Sequence, residues 1–225
     1  MSGKHCAWVW GAGPKSRVAL EELERIGRLP PGSVRDFQRR IRTTEDPDFM
    51  SVPDLAPGAV TRFRQRSGSL PTSEQVLRFG APNLTMMAGG LVTRARERGI
   101  RFHEVALEDH GIGPGDPQVP NATGTLLFFG GDAVTLHNLP AHRSSFETMR
   151  ESLAADAHVV LMHCWAFSDG GRLATELSAI LRCPVIGMTG LQTVGDQAVQ
   201  GPVFRAHAGR VERASGVSSW VSWFD

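Results

Sequence analysis

The sequence has few cysteines, almost no net charge and no long apolar run. Its three cysteines, Cys6, Cys164 and Cys183, include no CxxC pair, so we expect neither a disulfide framework nor a structural zinc site. A formal net charge of +1 argues against a strongly electrostatic nucleic-acid binder. No apolar run approaches the roughly 18–20 residues that cross a bilayer. We therefore expect a cytoplasmic protein without nucleic-acid or membrane partners.

Apolar strands alternate with amphipathic helices along most of the chain. The capping box Ser144-x-x-Glu147 predicts the start of one helix. The alternation favours an α/β fold, a three-layer α/β/α sandwich with a mostly parallel central sheet. The glycine-rich residues 191–225 are expected to form an edge hairpin or a cap over the crevice. The other predicted elements are strands at residues 7–10, 101–107, 158–162 and 185–188, a hairpin at 125–136, and helices at 17–26, 84–98 and 173–181.

Residues 28–81 interrupt this alternation. Prolines and arginines are scattered through them, and only short helices are predicted there, at residues 35–42 and 73–79. Such a long, weakly structured segment is unusual inside a compact domain, and it can be a lid, a partner surface, a processing site or a plain solvated insertion. We predict a single domain over residues 1–225, in which this insertion is where a regulatory protein partner would bind.

A histidine and a cysteine follow two of the predicted strands. Asp109-His110-Gly111 comes after one strand, and His163-Cys164-Trp165 comes after another. In parallel sheets the functional crevice lies at the carboxyl ends of the strands. There an imidazole can take the thiol proton, and the resulting thiolate is a nucleophile. Gly111 would let a substrate carbonyl approach, and the N–H groups of Gly111 and Cys164 would stabilise an oxyanion.

Other residues could replace this pair or belong to the core instead. A lone cysteine in an apolar strand is most often a small buried hydrophobe, and His137 or His142 could serve as the base in place of His110. His163 and Cys164 face opposite ways, because successive strand residues do, so His163 is expected in the core or behind the site. Four further side chains of these two types are expected to be structural or inert: His103, His158, Cys6 and Cys183.

A glycine turn follows the first predicted strand. Gly11-x-Gly13-x-x-Ser16, between a strand and a helix, partly matches a dinucleotide-binding loop. Serine replaces the third glycine, and no acidic residue stands where the ribose would be bound. The simpler interpretation is the first βα unit of an α/β sheet.

The order of these features resembles that of the caspase-like cysteine peptidases of clan CD. These include caspases, metacaspases, gingipains, clostripain, separase, and the bacterial CHAT and self-processing toxin protease domains. They share an apolar strand ending in His-Gly, then a hairpin and a helix, then an apolar strand ending at the catalytic cysteine. About fifty residues separate His110 from Cys164 here, which also fits. The resemblance covers residues 100–190 well, residues 1–27 loosely and residues 28–81 not at all.

The resemblance implies a caspase-like fold and a cysteine endopeptidase that cleaves protein or peptide substrates. Cys164 would be the nucleophile, His110 the general base and acid, and Gly111 with Cys164 the oxyanion hole, without a metal or organic cofactor. Asp109 could orient His110, although these enzymes usually work as a dyad. Bacterial defence and toxin processing are contexts in which such relatives act.

The residues around the cysteine depart from the known subfamilies. The caspase Gln-Ala-Cys-x-Gly signature and the acid that precedes the metacaspase cysteine are absent, and the large Trp165 follows Cys164. The loop at residues 165–171 would form one wall of a substrate pocket, and the helix after it would favour a thiolate. Asp169 or Asp196 could bind a basic substrate side chain in that pocket, or could equally cap a helix or lie in a loop.

Two rival functions remain open from the sequence. A catalytically inert caspase-like module would keep the fold and recognise a partner through residues 28–81. A nucleotide-binding α/β protein would use residues 11–16. The peptidase differs from both because it requires His110 and Cys164 to be brought together.

Overall fold

The computed structural model describes residues 5–12, 24–25, 76–116, 122–190 and 202–214. Its helices are α1 Leu84–Arg98, α2 Leu139–Arg150 and α3 Arg172–Leu181. Its strands are β1 His5–Gly11, β2 Val76–Ala81, β3 Phe102–Glu108, β4 Gly111–Ile112, β5 Leu126–Phe129, β6 Asp132–Val134, β7 Leu153–Met162, β8 Val185–Met188, β9 Val203–His207 and β10 Arg210–Arg213.

Seven of these strands form one sheet in the order β10-β9-β8-β7-β3-β1-β2. The pairs β1–β2, β1–β3, β3–β7 and β7–β8 are parallel, whereas β8–β9 and β9–β10 are antiparallel. The predicted α/β fold with a mostly parallel central sheet is therefore confirmed. The pair β9–β10 is the edge hairpin expected near the end of the chain. Strands β4, β5 and β6 form a separate small sheet.

The described helices and one face of the large sheet form the hydrophobic core. Val105 and Leu107 of β3 point into this core and pack with helical side chains such as Phe146. Trp8 and Ala106 point to the opposite face and are buried as well. Burial on both faces is the arrangement of a three-layer sandwich, and it fits the consecutive apolar residues at positions 6–10 of β1 and 105–107 of β3.

Helix α1 begins and ends as the sequence predicts. The Asn83 side chain accepts a hydrogen bond from the Met86 N–H at 2.8 Å, which satisfies one of the N–H groups left without partners in a first helical turn. Gly99 adopts a left-handed φ of 62°, and its N–H donates to the carbonyls of Ala95 and Arg96. The helix thus returns the chain to the start of β3, beside β1.

Helix α2 begins before the predicted capping box. It spans Leu139–Arg150, with Asn138 at the N-cap and a proline in the first turn. Ser144 and Glu147 therefore lie inside the helix, where Glu147 forms an ion pair with Arg143 at 2.9 Å. The prediction of a start at Ser144 is wrong because the proline, whose fixed φ suits the first helical turn, marks the start instead.

The C-terminal end of the predicted insertion belongs to the sheet. Strand β2 pairs in parallel with β1, with Leu77 opposite Ala7 and Phe79 opposite Val9. Leu77 and Phe79 contact the core, and this two-residue period is that of a strand. The short helix predicted at residues 73–79 is therefore wrong from position 76 onward.

Several other predictions fall outside the described ranges. Residues 28–75 and their predicted helix at 35–42 are among them. Of the helix predicted at residues 17–26, the structure describes Glu24 and Arg25, which are helical.

Candidate active site

The carboxyl ends of β3 and β7 lie side by side in the sheet. These two strands are parallel neighbours, and their last paired residues are Glu108 and Met162. The Asp109 N–H continues this pairing by donating to the Met162 carbonyl at 3.4 Å. His110 and Cys164 each come two positions after the Glu108–Met162 pair. The sheet therefore delivers the predicted base and the predicted nucleophile to the same edge, on adjacent strands.

Gly111 contacts the main chain of Cys164 directly. A β-carbon on Gly111 would overlap the Cys164 carbonyl oxygen and would lie 3.2 Å from the His163 β-carbon. Gly111 is also the first residue of β4, opposite Leu127 of β5. Ile112 continues β4 after Gly111.

The pairing of β4 with β5 sets the direction of the Gly111 N–H. The Phe128 N–H donates to the His110 carbonyl at 2.9 Å. This bond makes Gly111 and Leu127 a non-hydrogen-bonded pair of the antiparallel ladder, in which both main-chain polar groups of Gly111 point away from β5. The Gly111 N–H therefore points away from its strand partner β5.

The chain turns sharply after Cys164. Cys164 is a half-buried thiol, and Trp165 has a left-handed φ of 61°. A bulky residue in that region carries roughly 1–3 kcal/mol of backbone strain. The strain is held by hydrogen bonds on both sides of the residue. The Trp165 N–H donates to the Gly190 carbonyl at 2.9 Å, and its carbonyl accepts from the Ser168 hydroxyl at 2.8 Å and the Thr125 hydroxyl at 3.2 Å.

Asp109 fixes the main chain around His110. One carboxylate oxygen accepts from the His110 N–H at 2.7 Å, and the other accepts from the Gly130 N–H in the β5–β6 turn, also at 2.7 Å. These bonds tie residues 109–111, here called the histidine loop, to the β5–β6 hairpin. These contacts hold the main chain at His110 and do not involve its ring, so the predicted role of Asp109 in orienting His110 stays a prediction.

Gly11 packs closely against the Asp109 carboxylate. A β-carbon on this last residue of β1 would overlap Asp109 and would meet the Gly130 nitrogen. A phosphate placed against Gly11 would face this negative charge. The absence of a side chain at Gly11 is thus explained by packing against Asp109, whereas Gly13 and Ser16 of the predicted nucleotide loop lie outside the described residues.

Asp169 caps helix α3. Its carboxylate accepts from the N–H groups of Gly171 at 3.0 Å, Arg172 at 3.1 Å and Leu173 at 3.2 Å. Of the two roles predicted for Asp169, the structure therefore shows the helix cap. The Asp169 carboxylate offsets the partial positive charge at the N-terminus of α3. The expected stabilisation of a Cys164 thiolate by this helix dipole is therefore largely lost. Asp196 lies outside the described ranges.

The other histidines considered as the base do not follow a strand that neighbours β7. His163 is fully buried, and its Nε2 lies 2.7 Å from the Phe128 carbonyl oxygen, as expected for a residue behind the site. His137 is exposed between β6 and α2, and His142 lies within α2. Neither follows a strand that neighbours β7, whereas His110 does.

The remaining histidines and cysteines lie in strands or are buried. His158 and Glu104 form a close pair across β7 and β3, with Nε2 and Oε2 separated by 2.7 Å. His103 of β3 lies 3.5 Å from Asp156. Cys6 and Cys183 are buried, and burial raises the pKa of the Cys183 thiol to about 12.

A buried acid that was not predicted from the sequence lies directly before the site. Glu108 is 4% exposed and accepts a hydrogen bond from the Trp8 indole N–H at 2.7 Å. Burial raises the pKa of Glu108 to about 7, against the lowering effect of the Trp8 hydrogen bond. A glutamate at the end of an apolar strand was the available signal, but its tryptophan partner is far away in the sequence.

A cavity of about 340 Å³ opens beside residues 164–171, here called the cysteine loop. Its lining includes Pro114, from the loop after β4, and Ser168, from the loop after Cys164. The loop at residues 165–171, which was expected to form one wall of a pocket, contributes Phe167, Ser168 and Gly170, and the other lining residues come from distant segments that the sequence did not indicate.

Within the described ranges, no three side chains of the metal-binding types converge on one point. No helix among the described elements is both long enough and apolar enough to span a membrane. No protein-family model matches this sequence, and no curated protein matches it significantly.

Proposed function

We propose that the chain is a caspase-like cysteine endopeptidase in which Cys164 and His110 form the catalytic dyad. The observation that carries this proposal is the register of β3 with β7, which sets these two residues after the ends of adjacent parallel strands. A thiol and an imidazole in that arrangement are suited to acyl transfer at a peptide bond.

In the first half of the reaction, His110 takes the proton from the Cys164 thiol. The thiolate attacks the carbonyl carbon of the scissile bond, a C–S bond forms, and the carbonyl electrons move to oxygen. His110 then gives its proton to the amide nitrogen as the C–N bond breaks. The amine product leaves, and a thioester on Cys164 remains.

In the second half, water attacks the thioester carbon while His110 takes a proton from it. The C–S bond breaks, and the proton returns to the Cys164 sulfur as the acid product leaves. Both tetrahedral intermediates carry an oxyanion. The Gly111 and Cys164 N–H groups are the proposed donors, and the Trp165 N–H is a poor candidate because it already donates to Gly190.

The order of elements supports the caspase-like assignment. Strand β3 leads to His110-Gly111, then come the β4–β6 sheet and α2, and β7 leads to Cys164. This is the order that the family shares. The tryptophan at position 165 departs from the known subfamilies, so the substrate specificity of those subfamilies is not transferred. We propose a cytoplasmic location, a protein or peptide substrate, and no cofactor.

Replacing the nucleophile tests this function. The variant Cys164→Ala should lose all peptide cleavage while keeping its circular dichroism spectrum and unfolding midpoint. Cys183→Ala, which removes a buried thiol, should retain cleavage. Normal turnover by Cys164→Ala would end the proposal.

A thiol-reactive peptide probe separates the enzyme from an inert binding module. Under the proposed function the probe labels Cys164, and labelling falls sharply in His110→Ala. An unlabelled Cys164 in the folded protein would favour the module instead.

A further inference from the structure

Resting on the proposed peptidase function, we propose that the enzyme cleaves after bulky apolar residues. The side chain of the residue whose carbonyl is attacked, here called the acyl-side residue, would enter the 340 Å³ cavity beside the cysteine loop. Leucine, methionine and phenylalanine have the chemistry that this cavity accepts.

The cavity is lined in part by the two segments that follow the dyad residues. Pro114 reaches it from the segment that follows His110, and Phe167 and Ser168 reach it from the segment that follows Cys164. Consecutive Cα atoms are about 3.8 Å apart, so the Cα atoms of Phe167 and Ser168 lie within about 15 Å of that of Cys164. The two segments also touch, since a β-carbon on Gly113 would overlap the Ser168 hydroxyl. The cavity is therefore lined by the two segments that directly follow the proposed dyad, and on this ground we assign it to the acyl-side residue.

The walls of the cavity are mostly apolar. Phe167 and Phe204 stack with ring centroids 6.2 Å apart, and Val211 of the edge strand β10 contributes a third apolar side chain. The volume is at the lower end of the roughly 300–1,000 Å³ found for small-molecule pockets. It suits one large side chain rather than a folded partner.

The polar lining residues carry hydroxyl groups rather than charges. The Ser168 hydroxyl donates to the Trp165 carbonyl at 2.8 Å, and the Thr189 hydroxyl lies 3.5 Å from the Pro202 carbonyl oxygen. Both groups therefore already have main-chain acceptors. They add little that would select a charged substrate side chain.

Asp169, an acidic residue adjacent in sequence to the cavity lining, already accepts hydrogen bonds from the main chain. Asp169 stands between the lining residues Ser168 and Gly170, but both of its carboxylate oxygens accept N–H groups of α3. None of the described residues that line the cavity carries a charge, so an arginine or aspartate side chain there would lose water without gaining a counter-charge from the lining, which is costly. We therefore expect leucine or phenylalanine to be preferred over arginine or aspartate by at least about a hundredfold in kcat/KM.

The test uses fluorogenic peptides that differ only in the acyl-side residue, which is Leu, Phe, Arg or Asp. The unchanged protein should cleave the Leu or Phe peptide with the expected preference, and Cys164→Ala should cleave none. Efficient cleavage after Arg or Asp would overturn the specificity while leaving the peptidase function standing. No cleavage of any peptide, together with an unlabelled Cys164, would overturn both.

A charge added to the wall tests the cavity itself. Val211 is 40% exposed, so Val211→Asp should fold, and its carboxylate should raise the ratio of Arg to Leu cleavage at least tenfold. Arg210→Ser changes the net charge by the same amount on the same exposed strand and should leave the ratio unchanged. An unaltered ratio in Val211→Asp would show that the acyl-side residue binds elsewhere.

Discussion

Gly111 lies against the carbonyl oxygen of Cys164, with no room for a β-carbon between them. The contact joins the histidine loop to the cysteine loop through their main chains. Both residues of the proposed dyad, and both proposed oxyanion donors, therefore depend on one close approach.

The variant Gly111→Ala should separate the two loops. We expect the free energy of unfolding to fall by about 1–3 kcal/mol, as for other overpacked sites, and peptide cleavage to fall much further. Denaturant unfolding and kcat/KM measure the two effects. Gly89→Ala is the matched control, because a β-carbon there meets nothing within 4 Å and alanine favours the helix by about 0.5–1 kcal/mol. Full activity in Gly111→Ala would show that the contact is dispensable.

The variant Asp109→Asn should weaken the support of His110. An amide can offer its oxygen to only one of the two N–H groups and must turn its NH₂ toward the other. The free energy of unfolding should drop by about 1–3 kcal/mol, with a lower kcat/KM because the histidine loop is released. Asp156→Asn, at an exposed position, should change stability by less than about 0.5 kcal/mol. If Asp109→Asn behaves like this control, the carboxylate does not support the site.

The variant Asp169→Ala should act on stability and not on substrate choice. Loss of the cap leaves the first N–H groups of α3 without their acceptor, so the free energy of unfolding should fall by about 0.5–2 kcal/mol. The ratio of Arg to Leu cleavage should stay constant. A selective loss of cleavage after arginine would restore Asp169 as an acid of the substrate pocket.

Because of Glu108, the free energy of unfolding should fall as the pH rises. The pKa of Glu108 is raised from 4.5 to about 7, first by burial and then by the negative charge of Asp109, while Trp8 and Arg78 oppose the shift. The folded protein therefore holds this proton more tightly than the unfolded chain does. Its stabilising effect is complete below pH 4.5, and up to about 3 kcal/mol is lost as the pH rises to about 7.

Denaturant unfolding at several pH values checks this slope. In Glu108→Gln the decrease between pH 4.5 and about 7 should be absent. In Glu212→Gln, where the glutamate side chain is 60% exposed, the decrease should persist. Equal slopes in both variants would mean that another group titrates.

The sequence predicts much of the fold because its core strands are buried on both faces. Residues 159–162 of β7 and the whole of β8 appear as uninterrupted apolar runs, and Gly99 ends α1 through a local backbone conformation. Such signals depend on neighbouring residues alone. They also placed His110 and Cys164 at strand ends before the pairing of those strands was known.

The failed predictions concern choices that distant contacts decide. The sequence of Val76–Ala81 is short enough to be compatible with either a helix or a strand. Its parallel pairing with β1 decides for the strand. The Ser144 pattern fits a helix start, yet the same residues are equally stable inside a helix that begins at Leu139. The partnership of Gly11 with Asp109 joins segments far apart in the chain, which residue spacing does not encode.

The coupling of His110 to Cys164 is measured most directly by the pH dependence of Cys164 alkylation, followed peptide by peptide with mass spectrometry. We predict an apparent Cys164 pKa below the roughly 8.5 of an unperturbed thiol, a return toward about 8.5 in His110→Ala, and no change in His142→Ala. The same pH profile in the unchanged protein and in His110→Ala would contradict the dyad.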